Sequence, residues 1–283
     1  MKLTFLGTGT SQGIPVIACR CGVCTSSDVH DCRLRTSALL QVEPDEGGGS
    51  PLTGQSQGDV TSRPARPVNI LFDIGPDFRA QMLRNGVDHL DAILITHAHR
   101  DHVGGLDDIR SFNYVQRRKM DIYLNGEARH AIERDYHYIF APHEFPGLPE
   151  AELHTVGDTP FEVAGGIAVV PIHAMHKDLP VLGYRIGALA YITDANHIAP
   201  EELGKLRGLD VLVLNALRHE HHFSHYSLPE ALQVIEQVAP RHAYLTHISH
   251  EMGLHSAVSP TLPPNVELAY DNLTINWKSK VEN

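Results

Sequence analysis

A histidine-rich run at residues 96–102 carries the side chains of this chain that are best suited to binding a metal ion. Its sequence is THAHRDH, and two glycines follow shortly after it. Four potential ligands fall within six residues, namely His97, His99, Asp101 and His102. Neutral imidazoles and a carboxylate are the ligand set of zinc and of similar divalent ions. The alternative is a polar loop that is rich in histidine for no chemical reason, and further candidate ligands elsewhere in the chain disfavour it.

The residues before this run predict how it is positioned. Residues 92–95 read AILI, an apolar and partly β-branched stretch that is typical of a buried strand in a parallel sheet. The histidines follow the carboxyl end of that strand, which is where open α/β sheets place their ligand sites.

Three further predicted strands end in a side chain that can bind metal. These are His173 or His176 after strand 169–172, Asp194 after strand 189–193, and His247 after strand 243–246. One such residue is usually a surface group, but three of them together with the run at 96–102 predict a two-metal centre. Paired cations about 3.5–4 Å apart generate a hydroxide nucleophile near neutral pH and stabilise both oxygens of an in-line displacement.

Composition narrows the class of partner. The chain has 283 residues, 42% apolar and 20% charged, as in ordinary globular proteins. Its net charge of −11 disfavours extended nucleic acid, whereas a small anionic substrate stays compatible because bound cations would reverse the local field. No stretch reaches the roughly 18–20 apolar residues that span a bilayer, and the first residues lack signal-peptide features. We therefore expect a cytoplasmic protein without a membrane segment, whose four cysteines are thiols or metal ligands.

Periodicity and turn residues predict alternating strands and helices, as in an α/β fold. The predicted strands are 2–6, 37–43, 68–73, 92–95, 121–124, 166–172, 183–186, 188–193, 210–215 and 243–246, with a final strand or hairpin at 266–277. The predicted helices are 76–85, 106–117, 127–140, 200–206 and 227–238. Residues 44–67 are rich in Gly, Pro and Ser and are predicted to form a flexible insertion within a single domain covering 1–283.

The motif at 97–102, together with the downstream His176, Asp194 and His247, resembles the metallo-β-lactamase superfamily of hydrolases. This resemblance covers the whole chain apart from the insertion. It implies a four-layer αββα fold, with two mixed sheets face to face and helices outside.

The resemblance also implies a ligand set and a metal-dependent hydrolase. One metal would be bound by His97, His99 and His176, the second by Asp101, His102 and His247, with Asp194 bridging both. His176 is preferred to His173 because a Gly-Tyr strand follows it, as in relatives. Asp73 would steady the metal-site loops from behind the ligands, and its alternative role is a turn or capping residue. Zinc and manganese both suit these donors.

A cysteine loop narrows the resemblance to a subgroup. The run Cys19-x-Cys21-x-x-Cys24 and the segment THISH at 246–250 are similar to PhnP-like phosphodiesterases, which act on phosphoribosyl cyclic phosphate. That similarity implies a closed structural zinc site of Cys19, Cys21, Cys24 and His250. The alternative is three unrelated thiols, and Cys32 has no role in the pattern.

The same subgroup implies a mechanism. A hydroxide bridging the two metals would attack the phosphorus of a small or cyclic phosphodiester, with Asp101 and His225 as the catalytic candidates. His225 would protonate the leaving oxygen, with His222 as the alternative acid and a solvated histidine loop as the alternative structure. Lys177 and Arg218 are candidate cations for a terminal phosphate.

Other functions share these ligands. A tRNase Z-like ribonuclease would need a basic arm to grip tRNA, and no such insertion is evident. A thioesterase- or lactonase-type carbonyl hydrolase is disfavoured by the cysteine loop and His225. A flavodiiron-type enzyme would need a flavin domain that this length does not hold, and a non-catalytic metal-dependent binding protein would not need the full ligand set. The sequence does not set the oligomeric state, and a homodimer is one alternative.

Overall fold

The protein is described by a computed structural model that covers residues 1–43, 66–141 and 147–277. Most of the predicted insertion at 44–67 lies outside these described residues, so its flexibility stays a prediction. No helix within the described ranges is both long enough and apolar enough to cross a membrane.

The first sheet has seven strands and is mixed, with three antiparallel pairs followed by three parallel ones. In chain order its strands are β1 (Lys2–Gly7), β2 (Ser37–Val42), β3 (Val68–Phe72), β4 (Ala92–Leu94), β5 (Met120–Leu124), β6 (Ala151–Thr155) and the C-terminal β15 (Thr274–Asn276). Their spatial order is β15-β1-β2-β3-β4-β5-β6.

The second sheet has eight strands and is also mixed. Its strands are β7 (Phe161–Val163), β8 (Ile167–His176), β9 (Leu179–Ile186), β10 (Leu189–Ile192), β11 (His197–Ile198), β12 (Val211–Asn215), β13 (His242–Thr246) and β14 (Val266–Leu268). The order is β11-β8-β9-β10-β12-β13-β14, and β7 pairs with β8. In both halves an antiparallel meander runs into a parallel segment, so the halves are related in topology although their sequences show no repeat.

The helices are short and lie outside the sheets. The α-helices are α1 (Phe78–Asn85), α2 (Arg100–Val103), α3 (Arg110–Gln116), α4 (Gly126–Asp135), α5 (His137–Phe140), α6 (Pro200–Gly204), α7 (Leu228–Val238) and α8 (His255–Val258). Single 3₁₀ turns occur at Val29–Asp31, Leu106–Ile109, His250–Met252 and Ser259–Thr261.

Alternation of apolar side chains along the strands produces the layers. In β3, Ile70 and Phe72 belong to the core between the two sheets, while Leu71 packs in the core under the first-half helices. In β12, Val213 faces the sheet interface and Leu212 faces the second-half helices. Because each central strand is covered on both faces, the two sheets pack face to face with helices outside. This four-layer α/β arrangement confirms the predicted fold class.

Three local predictions are wrong. The segment 266–277 does not form one strand or hairpin, since β14 pairs with β13 in the second sheet and β15 pairs with β1 in the first. The chain thus returns across the sandwich at its end. The predicted helix 127–140 is interrupted at Tyr136, whose backbone (φ −118°, ψ 34°) is not helical. Strand β8 also runs on through His176 rather than ending at residue 172.

Candidate metal centre

The histidine run is held at the carboxyl end of β4 by a buried carboxylate. Asp73 is fully buried, and its Oδ1 accepts a hydrogen bond from the Thr96 backbone N–H at 2.8 Å. Its Oδ2 lies 2.8 Å from His102 Nδ1. Because an ionised carboxylate only accepts, His102 carries a proton at Nδ1, and Nε2, which faces the centre of the site, is the nitrogen available to a metal.

Three imidazoles form the first donor set. His97, His99 and His176 each offer one ring nitrogen, and these atoms lie within 4.8 Å of one another. His97 Nε2 and His99 Nδ1 approach to 3.0 Å. His176 Nδ1 donates to the Ser224 carbonyl at 2.7 Å, so its Nε2 also presents a lone pair.

A second donor set lies beside the first and consists of Asp101, His102, Asp194 and His247. His102 Nε2 is 3.2 Å from both Asp101 Oδ2 and Asp194 Oδ2, and His247 Nε2 is 3.1 Å from Asp194 Oδ1. Yet neither Nε2 atom forms a hydrogen bond, although both are buried. Buried polar atoms that converge without hydrogen bonding are costly unless an ion joins them. These residues therefore fit a divalent metal.

Asp194 links the two sets. One potential ligand atom from each of Asp194, His176 and His225 also lies within 4.8 Å of the others. Asp73, Asp194 and His247 all have left-handed backbone conformations, with φ of 57°, 58° and 55°. Such a conformation is unfavourable for non-glycine residues and concentrates at functional sites. Asp73 and Asp194 occupy equivalent places, each just after the last strand of the three-stranded antiparallel meander in its sheet (β1-β2-β3 and β8-β9-β10).

Burial and charge oppose each other in the site. Burial would raise the pKa of the Asp194 carboxyl, but the neighbouring His247 and His102 outweigh it and hold that pKa well below its ordinary value. Burial lowers the pKa of His97 well below its ordinary value, and the adjacent His102 adds to this. Ionised carboxylates and a neutral His97 are the protonation states that a metal requires of its ligands.

His225 lies beside the donor sets, and His222 lies behind it. His225 Nε2 is 3.0 Å from Asp194 Oδ1, whereas His222 Nδ1 contacts His225 Nδ1 at 3.2 Å. Burial lowers the pKa of the His225 imidazole, and the hydrogen bond to Asp194 opposes this shift. Of the two candidate acids, His225 is the one that reaches the centre.

Three other candidates point elsewhere. His173 Nε2 lies 3.2 Å from Asp158 Oδ1, outside both donor sets. Arg218 pairs with Glu251 at 2.7 Å. The Lys177 ammonium lies 5.7 Å from the centre of the exposed Phe223 ring.

The cysteine loop and the loop after β13 form a separate cluster. The Sγ atoms of Cys19, Cys21 and Cys24 lie 3.4, 3.3 and 3.6 Å from His250 Nδ1. Sulfur and nitrogen ligands of a tetrahedral zinc are about 3.6 Å apart, given bonds of about 2.3 and 2.05 Å. The Cys24 backbone N–H and the His250 ring lower the pKa of the Cys21 thiol to about 6. These residues fit a closed zinc site, while Cys32 is exposed and apart from it.

A cavity of about 350 Å³ opens onto His97 and His99. Its opposite wall is helix α4, which contributes Glu127, His130 and Arg134. The sequence interpretation missed this wall. Its signal was the i, i+3, i+7 spacing of these three polar residues, which places them on one helix face.

Comparison with known proteins identifies the family. Residues 68–248 match the model of the beta-lactamase superfamily domain, and this range contains every residue of the two donor sets. The chain belongs to the metallo-β-lactamase superfamily. The fold of this family implies that divalent metal is bound, and the chain is a hydrolase of this superfamily.

Two solved structures show which members of the metallo-β-lactamase superfamily this chain is similar to. A solved diphosphatase from the PhnP family is 35% identical, with a TM-score of 0.82 over 97% of this chain and 96% of its own. This likeness supports the PhnP-like subgroup. Zn²⁺-bound PqqB from Methylobacterium extorquens has a TM-score of 0.72 over 98% of this chain and 100% of its own, and at 17% identity it shows the fold alone.

One relative is named for an acyl-transfer activity rather than for hydrolysis of a phosphorus compound. The octanoyltransferase of Porphyromonas gingivalis (strain ATCC BAA-308 / W83) is 39% identical over 275 residues, which cover 96% of this chain but 51% of the relative. The chain therefore spans about half the length of that protein.

Proposed function

We propose that this hydrolase cleaves a small anionic phosphodiester, with two divalent metals, zinc or manganese, at the paired donor sets. The observation that carries the proposal is the group of seven convergent donors with His225 hydrogen-bonded to Asp194 beside them. Under this proposal, His97, His99 and His176 hold one metal and Asp101, His102 and His247 hold the second. Asp194, which belongs to the second set and also approaches His176, is proposed to bridge the two.

When bound, the metals would lower the pKa of a water molecule and neutralise charge on the phosphate. The residues of the chain supply the rest. Asp73 keeps the proton of His102 at Nδ1, so that Nε2 serves as a ligand. Asp101 adds a negative charge that offsets the charge of the cations.

His225 is proposed to protonate the leaving oxygen. Because Asp194 can only accept, the contact at 3.0 Å implies a proton on His225 Nε2, the nitrogen that faces the donor sets. In the imidazolium form this proton passes to the leaving oxygen and a neutral imidazole remains. An alkoxide leaving group needs a proton, and a positioned histidine supplies one in general acid catalysis.

A structural zinc is proposed at Cys19, Cys21, Cys24 and His250. His250 follows His247 by three residues, so this zinc would tie the cysteine loop to the loop that carries a proposed catalytic ligand. It would have no open coordination position and so no direct part in the reaction.

A diphosphate linkage is the second candidate substrate. The diphosphatase from the PhnP family, at 35% identity over almost the whole chain, favours it. Both candidates present a singly charged, disubstituted phosphorus to the donor sets, and they differ in the leaving group. A phosphate leaving group depends less on protonation than an alkoxide does.

Octanoyl transfer is less well supported for this chain. The relative of that name is about twice as long as the matched region, so its activity is not assigned to the matched half. The cavity beside His97 and His99 is lined by apolar side chains together with Glu127, His130 and Arg134. An anionic substrate would pair with the Arg134 guanidinium, whereas an acyl chain would not.

The experiment is a turnover assay on the protein loaded with zinc or manganese. The substrates are bis(p-nitrophenyl) phosphate, a cyclic nucleotide as a diester with an alkoxide leaving group, a dinucleoside diphosphate and p-nitrophenyl octanoate. We expect metal-dependent hydrolysis of a phosphorus substrate and none of the octanoate. His225→Ala should lower kcat by about 10²–10⁴-fold on an alkoxide diester, the usual contribution of a general acid.

His222→Ala is the matched control, because His222 touches His225 but not Asp194. We expect it to retain most of the activity. Absence of metal-dependent turnover on every phosphorus substrate, or equal activity of His225→Ala and the parent on alkoxide diesters, would refute the proposed function.

A further inference from the structure

The loop between β12 and α7 carries His225 and is anchored by its backbone on both sides of that residue. On the C-terminal side, the Tyr226 N–H donates to the Ala195 carbonyl at 2.8 Å. On the N-terminal side, the carbonyl of the buried Ser224 accepts from His176 Nδ1 at 2.7 Å. Both anchors are therefore a proposed metal ligand or the residue directly after one.

Asn196 supplies a third anchor through its side-chain amide. Its Nδ2 donates to the Phe223 carbonyl at 3.0 Å, and its Oδ1 accepts from the Lys177 N–H at 2.9 Å. Its own backbone N–H donates to the Met175 carbonyl at 2.8 Å. This one residue thus joins the segment after β10 to the end of β8 and to the loop between β12 and α7.

The anchor at Phe223 matters because apolar packing there is weak. The Phe223 side chain is 63% exposed, so it contributes little to holding the loop. Two residues later, His225 Nε2 must stay 3.0 Å from Asp194 Oδ1. A displacement of about 1 Å would break this hydrogen bond, and a misplacement of that size can cost about 10²-fold in rate.

We infer that Asn196 is a positioning residue for the proposed acid, because it holds the loop so that His225 Nε2 faces the departing oxygen. An amide suits this role, since it donates and accepts at the same time. Both of its groups are already paired with backbone, so it acts through the loop rather than on the substrate. The inference rests on the proposed function, which makes His225 the acid.

The dependence of kcat on the leaving group tests the inference on the zinc-loaded protein. Asn196→Asp keeps the acceptor for the Lys177 N–H but places a carboxylate oxygen opposite the Phe223 carbonyl. On a cyclic nucleotide, whose alkoxide needs a proton as the P–O bond breaks, we expect kcat to fall by about 10–100-fold. On bis(p-nitrophenyl) phosphate, whose p-nitrophenoxide leaves without a proton, kcat should stay within about twofold of the parent.

Asn196→Ala and two measurements other than turnover separate the possible causes. The alanine variant removes both side-chain hydrogen bonds without adding a charge near the metals, so we expect the same selective loss. Zinc content by elemental analysis should equal that of the parent. Hydrogen exchange of the amides at 223–226 should become faster, because the loop loses an anchor.

Asn113→Asp is the matched control. The Asn113 amide also joins two segments, since its Nδ2 lies 2.9 Å from the Arg118 and Glu150 carbonyls and its Oδ1 accepts from the Glu150 N–H at 3.0 Å. Among the described residues it makes no hydrogen bond to a proposed metal ligand or to the His225 loop. This variant should turn over both substrates at the parental rate.

A loss confined to the cyclic nucleotide in the Asn196 variants that fold, with zinc content kept, supports the inference. Parental kcat on the cyclic nucleotide, an equal loss on both substrates, or loss of bound zinc overturns it. Failure of the proposed function is seen separately, as absence of phosphorus-substrate turnover in the parent or as equal activity of His225→Ala and the parent on the cyclic nucleotide.

Discussion

Asp73 and His102 form the pair on which the second donor set depends. Asp73 is 0% exposed and bonds His102 Nδ1 at 2.8 Å, which fixes the ring and its tautomer. In Asp73→Asn one carboxylate oxygen becomes an NH₂ group, which cannot accept a hydrogen bond. The side chain can then no longer accept from both the Thr96 N–H and His102 Nδ1, so His102 would lose its orientation. Partners of this kind contribute about 10–100-fold to metal affinity. We expect that loss in chelator competition with zinc.

The control for this variant is Asp88→Asn. Asp88 also contacts a histidine Nδ1, that of His89 at 2.7 Å, but its side chain is 89% exposed and lies away from the donor sets. It should bind zinc as the parent does. Equal zinc affinity of Asp73→Asn and the parent would show that Asp73 has no part in the metal centre.

At the residue scale, the candidate metal ligands could be recognised in the sequence because they lie in one short run or directly after an apolar strand. The run at 96–102 and the strand-end residues Asp194 and His247 were recognisable because β-strands in this fold end at one edge. The resemblance favoured His176 over His173, and the strand register supplies the physical reason for the difference between them. The two residues are three apart on β8 and so face opposite sides of the sheet, which only pairing with β9 fixes.

At the element scale, the start of α7 positions the loop that carries His225. The Glu230 carboxylate accepts hydrogen bonds from the Ser227 N–H at 2.8 Å and from its hydroxyl at 2.6 Å. Ser227→Ala removes the second bond and should cost about 1 kcal/mol of the free energy of unfolding, measured by urea titration. Ser111→Ala, at an exposed helical position, should be nearly neutral. Equal urea midpoints for both variants would contradict this role.

The cysteine loop is the second element whose order we expect to depend on a bound ion. Cys21→Ser should release about one zinc per chain by elemental analysis. A ligand present at 100 times its Kd adds about 2.7 kcal/mol to the free energy of unfolding. Loss of this zinc should therefore lower the Tm by roughly 5–10 °C. Activity should be partly kept, because the donor sets remain.

Cys32→Ser is the matched control, since Cys32 is exposed and lies outside the cluster. It should keep both the zinc and the Tm of the parent. If Cys21→Ser retains the full metal content, the structural site is not occupied as proposed.

Elements with strong local signals were predictable, and those defined by distant pairing were not. The capped helix α7 and the apolar strands β4, β12 and β13 have clear boundaries in the sequence. Strand β6 and the short β7 were missed because they are defined by pairing with β5 and β8. The final strands were misassigned because sequence does not reveal that β15 returns to β1. The polar face of α4 was recognisable from its spacing, but its place beside His97 and His99 depends on tertiary packing that the sequence does not reveal.

At the scale of the whole molecule, the proposed metal centre lies between the two halves. His97, His99, Asp101 and His102 follow a strand of the first sheet, whereas His176, Asp194 and His247 end strands of the second. Each donor set contains residues from both halves. Bound metals would therefore cross-link the two sheets, in addition to the apolar core between them.

Chelation should accordingly destabilise the whole protein rather than one loop. Two sites with free metal at 100 times their Kd would add about 5 kcal/mol to the free energy of unfolding. Loss of both metals would lower the Tm by roughly 10–20 °C. Calorimetry of the Cys21→Ser variant with and without EDTA isolates these two sites, because the proposed structural zinc is already absent. Adding zinc back should restore the Tm. A Tm in this variant that does not respond to EDTA would mean that the seven donors hold no metal that joins the halves, and it would remove the basis for the proposed dinuclear centre.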